Sequence, residues 1–270
     1  MSIDYMGTIP RFRGDKRRWK LLIDTYDIHK WVIGIEKGKN GLEHLQVRLR
    51  MREGELDKSG RNAFEILQLY FPKAHWEKCS DTWSYEAKEG RFWASDDYSD
   101  EVRKMRFAKL RKWQEEVLTG LRKQNDRQIM VIVNRRGNEG KSFLRGKLYE
   151  TGKAHFIQYA NNTKGLIMDT ASKFIKQGGR PYLIVDLPRA WKWSEELCIA
   201  LETIKDGLID DPRFESKTVD IRGVKIVVFC NTSPNDTKEV YESLSADRWC
   251  IGNLTAGCIS WEDHGATAST

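Results

Sequence analysis

Ile129-Met130-Val131-Ile132-Val133 is an unbroken apolar run that leads directly into Asn134-Arg135-Arg136-Gly137-Asn138-Glu139-Gly140-Lys141-Ser142 and then into a helical stretch. A strand that is apolar on both faces must be covered on both, which is the condition of a buried parallel sheet. Strand, glycine loop and helix in that order form a phosphate cradle. Backbone N–H groups and the helix N-terminus meet the anion, Lys141 reaches its terminal phosphates, and Ser142 can bind Mg²⁺. Gly137, Asn138, Glu139, Gly140, Lys141 and Ser142 are therefore expected to hold ATP with Mg²⁺. The G-x-x-x-x-G-K-S pattern has glycine where this chain has Arg135, which leaves Gly137 to supply the freedom of the loop.

Two later strand ends extend this expectation. Tyr182-Leu183-Ile184-Val185-Asp186 is an apolar run ending in an acid that could hold Mg²⁺. Val224 to Phe229, followed by Cys230 and Asn231, places an amide at a strand end where it could sense the terminal phosphate or orient water. Arg248, within Ser245-Ala246-Asp247-Arg248-Trp249, reads either as an arginine finger acting on nucleotide held by an adjacent subunit or as an ordinary surface ion pair. Lys205 and Lys217, the latter in the hairpin-like Phe214 to Arg222 segment, are candidates to project toward DNA.

The first hundred residues have a different periodicity. Trp31 to Glu36 reads as a strand, and Gly38 with Asn40-Gly41 supplies hairpin chemistry. His44 to Met51 alternates, with Leu45, Val47, Leu49 and Met51 assigned to a core and His44, Gln46, Arg48 and Arg50 to the opposite face. Folding at Asn40-Gly41 brings Glu36 to His44, so one carboxylate, one imidazole and the Gln46 amide oxygen could converge on one cation. Oxygen ligands beside a single nitrogen suit Mg²⁺ or Mn²⁺ better than a closed zinc site.

Arg61 to Phe71 carries Phe64, Leu67 and Phe71 at helical spacing, an amphipathic helix closed by Pro72. A short strand near Ala74-His75-Trp76-Glu77 follows, then a helix capped by Ser80 or Asp81 that presents Tyr85 and Lys88 on one face. A phenol has a reference pKa of about 10, so as a nucleophile it needs a nearby cation and a polarised phosphate. Lys88 and the metal would supply them. Residues 99–124 carry Val102, Met105, Leu110, Trp113, Val117 and Leu121 at roughly helical spacing, one or two helices joining the domains whose apolar stripe packs either within the chain or on another subunit.

Length and charge are consistent with this organisation. The 270 residues accommodate two domains, and 46 Lys and Arg against 39 Asp and Glu leave a charge of +7 that favours a polyanionic partner. The 5 cysteines show no C-x-x-C spacing, so neither a zinc knuckle nor a disulfide framework is indicated. No apolar run approaches the roughly 20 residues of a membrane span, and no membrane partner is expected. The basic Arg11 to Lys20 segment has the composition of a nuclear-import signal and equally of a DNA-facing loop.

Taken together, the motifs resemble the replication initiator (Rep) family of small circular single-stranded DNA viruses, most closely its smacovirus members. Met6-Gly7-Thr8-Ile9-Pro10-Arg11 is similar to the family's first motif, Glu36 with His44-Leu45-Gln46 to its metal motif, and Tyr85-x-x-Lys88 to its nuclease motif. Gly140-Lys141-Ser142, Asp186 and Asn231 resemble Walker A, Walker B and motif C. Gln46 replaces the second histidine of the HUH motif, and Leu187 stands where many superfamily 3 helicases have a second acid.

The resemblance implies an α+β HUH endonuclease domain over residues 1–98, with an antiparallel sheet and flanking helices. A helical linker follows at 99–124, then an α/β P-loop AAA+ superfamily 3 helicase domain at 125–258 and a tail at 259–270. It further implies nicking and rejoining of single-stranded DNA at an origin hairpin through a 5′-phosphotyrosine, ATP-driven unwinding by a homo-hexamer, and cooperation with host replication machinery. The location would be the host cell, and the nucleus if the host is eukaryotic. The competing expectation is an ATP-driven helicase whose first domain only binds the origin.

Overall fold

In the computed structural model, residues 2–11, 15–80, 82–158, 163–211, 217–245 and 247–262 are described. The alternating segment forms β3 (Glu43–Arg52), which lies between β1 (Ser2–Pro10) and β2 (Trp31–Lys37). With β4 (His75–Lys78) and β5 (Phe92–Ala94) at the edges, a five-stranded antiparallel sheet runs β4-β1-β3-β2-β5. Register across the centre pairs Pro10, His44 and Glu36 in one row and Thr8, Gln46 and Gly34 in the next. The β2–β3 turn closes through Gly38 and Gly41, whose φ of 81° requires glycine.

One face of this sheet is the core. Leu45, Val47, Leu49 and Met51 are buried there against Trp19 and Leu22 of α1 (Asp15–Thr25) and Ile66 and Leu67 of α2 (Ala63–Tyr70). Burial of such side chains contributes about 1.5–3 kcal/mol each. The expected α2 stripe is corrected at one position. An Asn62–Glu65 capping box starts the helix at Ala63, which turns Ile66 and Leu67 inward and leaves Phe64 44% exposed.

The second unit is built on β6 (Ile129–Val133), whose residues divide between two cores. Ile129, Val131 and Val133 pack with α6 (Thr163–Gln177) and α7 (Glu195–Asp206), whereas Met130 and Ile132 pack with α4 (Lys112–Lys123) and α5 (Lys141–Glu150). The helices on both sides are the physical reason for the unbroken apolar run. The sheet order is β13-β12-β6-β11-β8-β7, with β7 (Ala154–Gln158), β8 (Tyr182–Asp186), β11 (Lys225–Cys230) and β12 (Trp249–Thr255) parallel to β6 or to one another. Strand β13 (Cys258–Trp261) is antiparallel at the edge, so the expected tail from 259 begins inside a paired strand. A separate ribbon joins β9 (Leu208–Asp211) to β10 (Lys217–Asp220).

The chain divides at Ala108/Lys109, and the segment expected as one linker splits there. Helix α3 (Asp100–Phe107) belongs to the first unit, where Arg103 and Arg106 both reach the buried Asp97 and Phe107 stacks on Trp93. Helix α4 belongs to the second unit, which buries Trp113, Val117 and Leu121 completely. The apolar stripe is thus consumed within the chain. Among the described residues no helix is long and apolar enough to cross a membrane.

Candidate functional site

The polar face of the first sheet carries the nuclease candidates. His44 Nε2 stands 3.7 Å from Glu36 Oε2, and Lys88 Nζ stands 3.0 Å from the same oxygen. The Lys88 ammonium also lies 3.7 Å from the centre of the Tyr85 ring. Thr8 Oγ1 donates to Gln46 Oε1 at 2.8 Å, which orients the amide oxygen beside His44. Glu36, His44, Gln46, Lys88 and Tyr85 therefore gather over two adjacent rows of the sheet, and Tyr85 remains 48% exposed.

Tyr85 does not sit on the expected α-helix. It opens a single 3₁₀ turn, Tyr85–Ala87, preceded by Ser84 with no side-chain cap; Asp81, one proposed cap, lies outside the described residues. Tertiary contacts hold this turn in place. Glu86, 1% exposed, accepts a hydrogen bond from Arg48 Nε at 2.9 Å, and Arg48 also donates to the Ser80 carbonyl. Gly34 lies directly beneath, where any β-carbon would collide with the Glu86 carbonyl oxygen. Glu86 and Gly34 were not singled out by sequence patterns, and Arg48 was placed only on the face of His44 and Gln46, because their partners lie tens of residues away. The only signal was a charged residue inside the Tyr85 to Lys88 motif.

The electrostatics favour a charged Lys88. Burial opposes the ammonium, but hydrogen bonds to Tyr85 and Glu36 outweigh it and hold the Lys88 pKa above its ordinary value. Lys88 is thus a permanent cation at neutral pH and not a general base. Glu36 Oε1 is buried without a hydrogen-bond partner among the described residues. An orphaned carboxylate oxygen beside an imidazole and an oriented amide fits a divalent cation with open positions. No cluster of three His, Cys, Asp or Glu side chains occurs among the described residues, so such a cation would depend on Gln46 as the third donor.

In the second unit the cradle lies at the C-terminal ends of the parallel strands, where ligands of open α/β sheets bind. Gly137, Asn138 and Gly140 have φ of 80°, 60° and 92°, a succession that turns backbone N–H groups into an anion-binding concavity. Residues of α4 and just before it clamp the loop from behind. Arg111 Nη1 and Trp113 Nε1 donate to the Glu139 carbonyl at 2.9 and 3.2 Å, and Gln114 Nε2 donates to the Gly140 carbonyl at 3.0 Å. The Glu139 carboxylate accepts from the Ala256 N–H at 3.0 Å.

Lys141 Nζ donates to the Cys230 carbonyl at 2.7 Å, and burial lowers its pKa. Asp186 is paired with Arg145, one turn beyond Lys141, and Asn231 Nδ2 donates to the Asn134 carbonyl at 2.6 Å. The unexpected Arg135 makes two bonds to Asp236, at 2.9 and 2.7 Å, which explains how a long side chain replaces glycine without entering the cradle. Ser142 begins α5 immediately after Lys141.

Lys205, Arg248, Arg11 and Lys217 each have a distinct setting. Lys205 is 2% exposed and donates to Gln124 Oε1 at 3.0 Å and the Val224 carbonyl at 2.8 Å, so it tethers α7 to the β11 region and cannot face DNA. The Arg248 side chain is 12% exposed and paired with Asp206 at 3.2 Å and Glu202 at 3.9 Å, which is the ion-pair alternative of the two expected for it. Arg11 is paired with Glu43, which also takes Arg91 at 3.0 Å. Lys217 is exposed on β10, but residues 212–216 of its hairpin lie outside the described residues.

No family model matches the chain, and no curated protein matches it. Among solved structures, a formyltetrahydrofolate deformylase from Pseudomonas putida KT2440 aligns with 90% of this chain at 8% identity and a TM-score of 0.21. One from Burkholderia mallei ATCC 23344 aligns with 93% of this chain and 67% of its own at 9% identity and a TM-score of 0.22. The chain spans 54% of the first enzyme's length. Likenesses at these scores carry no argument about fold or activity.

Proposed function

We propose that this protein is a rolling-circle replication initiator of the Rep type, with an HUH-like nickase in its first unit and a P-loop helicase ATPase in its second. The observation that carries the reading is the position of Lys88, 3.0 Å from Glu36 and 3.7 Å from the Tyr85 ring centre. A phenol, a permanent cation and a set of cation-binding donors share one sheet face, as phosphodiester transesterification on tyrosine needs.

Tyr85 binds the scissile phosphate covalently in this scheme. Its phenolic oxygen forms a bond to phosphorus as the bond from phosphorus to the 3′ oxygen breaks. The phenolic proton leaves to solvent, and the departing 3′ oxygen takes one up to become a free 3′-OH. Lys88 faces the negative charge that develops on the phenolic oxygen. Mg²⁺ or Mn²⁺ held by Glu36, His44 and Gln46 would supply Lewis-acid polarisation of the phosphate. Attack of a 3′-OH on the 5′-phosphotyrosine reverses the step and rejoins the strand.

The second unit supports ATP binding through the N–H groups of Gly137 to Gly140 and through Lys141, with Ser142 and Asp186 as the residues that would hold Mg²⁺. Asn231 is the group available beside the terminal phosphate. Single-stranded DNA, an origin hairpin, a homo-hexameric ring and host replication machinery are the proposed partners, and the eukaryotic nucleus or another host compartment is the proposed location.

The test is to incubate the protein with Mn²⁺ and labelled single-stranded hairpin oligonucleotides and to assay for an SDS-resistant adduct. An adduct that is lost in Tyr85→Phe is the expected outcome. Hairpin binding and ATP hydrolysis with no adduct would instead identify a helicase whose first unit only binds the origin.

A further inference from the structure

The opposite side of the first unit's sheet contains a pocket of about 550 Å³ between α1 and the strands. Its walls are Trp19, Trp31, Trp93, Ile23, Ile33 and Leu45. Leu45 and Ile33 point away from the face that carries His44 and Gln46, so the pocket is separate from the nuclease candidates. Trp31 and Trp93 are half-buried, presenting aromatic surface at the opening.

The helix side of the pocket is patterned. Lys16, Trp19, Lys20 and Ile23 follow spacings of three, one and three residues, which places them in one stripe of α1. Basic and apolar groups thus alternate along a single wall. The guanidinium groups at the rim are already committed, Arg11 to Glu43 and Arg103 to Asp97. Lys16 and Lys20 are exposed and form no ion pair among the described residues, and the acid in the lining is Asp24, one turn beyond Lys20 on the same helix.

The Trp19 indole is 5% exposed and contributes apolar wall, its Nε1–H being closed to solvent. The pocket therefore combines aromatic walls with two lysines that form no ion pair among the described residues, within a volume suited to a small ligand. That chemistry matches a planar base joined to a phosphate.

We propose that this pocket binds one nucleotide unit, the base among the tryptophans and the phosphate on Lys16 and Lys20. The unit is supplied either as a free nucleotide or as one residue of a single-stranded DNA. The site stands on its own geometry and does not depend on the nicking chemistry of the other face.

The experiment uses full-length Tyr85→Phe protein, in which no phosphotyrosine can form, and two photoreactive probes: 5-bromo-2′-deoxyuridine monophosphate and a single-stranded oligonucleotide containing one bromouracil. After irradiation, adducts are located by peptide mass spectrometry. The expected result is an adduct on the peptide carrying Trp19, Trp31 or Trp93, reduced about tenfold when Lys16 and Lys20 are both changed to Glu. Adducts with both probes identify a free-nucleotide site, and adducts with the strand alone identify a base-capture site on DNA. Trp31→Leu, which removes a wall without altering charge, should reduce the adduct comparably while the thermal transition is retained. Absence of adducts at these peptides with both probes, or adducts undiminished by the Lys16/Lys20 change, overturns the proposal.

Discussion

Gly34 shows how one residue without a side chain positions a reactive one. It lies under the 3₁₀ turn, where a β-carbon would collide with the Glu86 carbonyl. Backbone has little room to yield, because the Glu86 side chain is tied down to Arg48 of the same sheet face at 2.9 Å. In Gly34→Ala the turn must lift and carry Tyr85 with it. A displacement of about 1 Å at a reacting atom is worth about 100-fold in rate. The expected outcome is an approximately 100-fold slower adduct formation in the hairpin assay, with hairpin affinity kept within a few fold. Wild-type cleavage rates in Gly34→Ala would show that the turn is not held by this contact. None of this was visible in the residues around Tyr85, since the sequence pattern offered only a generic helix there.

At the scale of elements, Lys205 is the clearest case of a side chain whose composition suggested one role and whose packing assigns another. Helix α7 turns it inward, where it meets Gln124 and the Val224 carbonyl, and Gln124 in turn accepts from the Ile226 N–H at 2.8 Å. Burial, reinforced by the nearby Lys225 charge, lowers the Lys205 pKa to about 8. The unfolded lysine has its ordinary value near 10.4. Between these two values the unfolded chain binds more protons than the folded one, so this group makes stability rise with pH from about 8 to about 10.4. The total change is on the order of 3 kcal/mol. Urea midpoints measured at pH 8 and pH 10 should show this rise, and Lys205→Met should flatten it. An equal slope in the variant would assign the effect to other groups. The same scale explains α4, whose residues Trp113 and Gln114 both fill the core and brace the cradle, a double use that helical spacing alone could not distinguish from core packing.

At the scale of the whole molecule, the two units carry separate constellations, each assembled within its own boundaries. The proposed activities should therefore be lost independently. Lys141→Ala removes the cation that now donates to the Cys230 carbonyl and would meet the terminal phosphates, and ATP hydrolysis should fall by at least about 100-fold. Nicking of a preformed hairpin oligonucleotide should persist in that variant, whereas Tyr85→Phe should show the reverse. Loss of both activities in either well-folded variant would refute independent function. Local periodicity was enough to determine the strand and loop character of Ile129 to Gly140, the β2–β3 hairpin and the core face of β3, although not the burial of Gln46 and Arg48 on its other face, because side-chain alternation, glycine dihedrals and apolar runs act over a few residues. Tertiary structure alone decided the rest: the 3₁₀ turn under Tyr85, the burial of Lys205, the internal pairing of Arg248 and the bracing of the cradle by α4. Each depends on a partner distant in the chain, and it is the packing of that partner, not local propensity, that sets the energy of the contact.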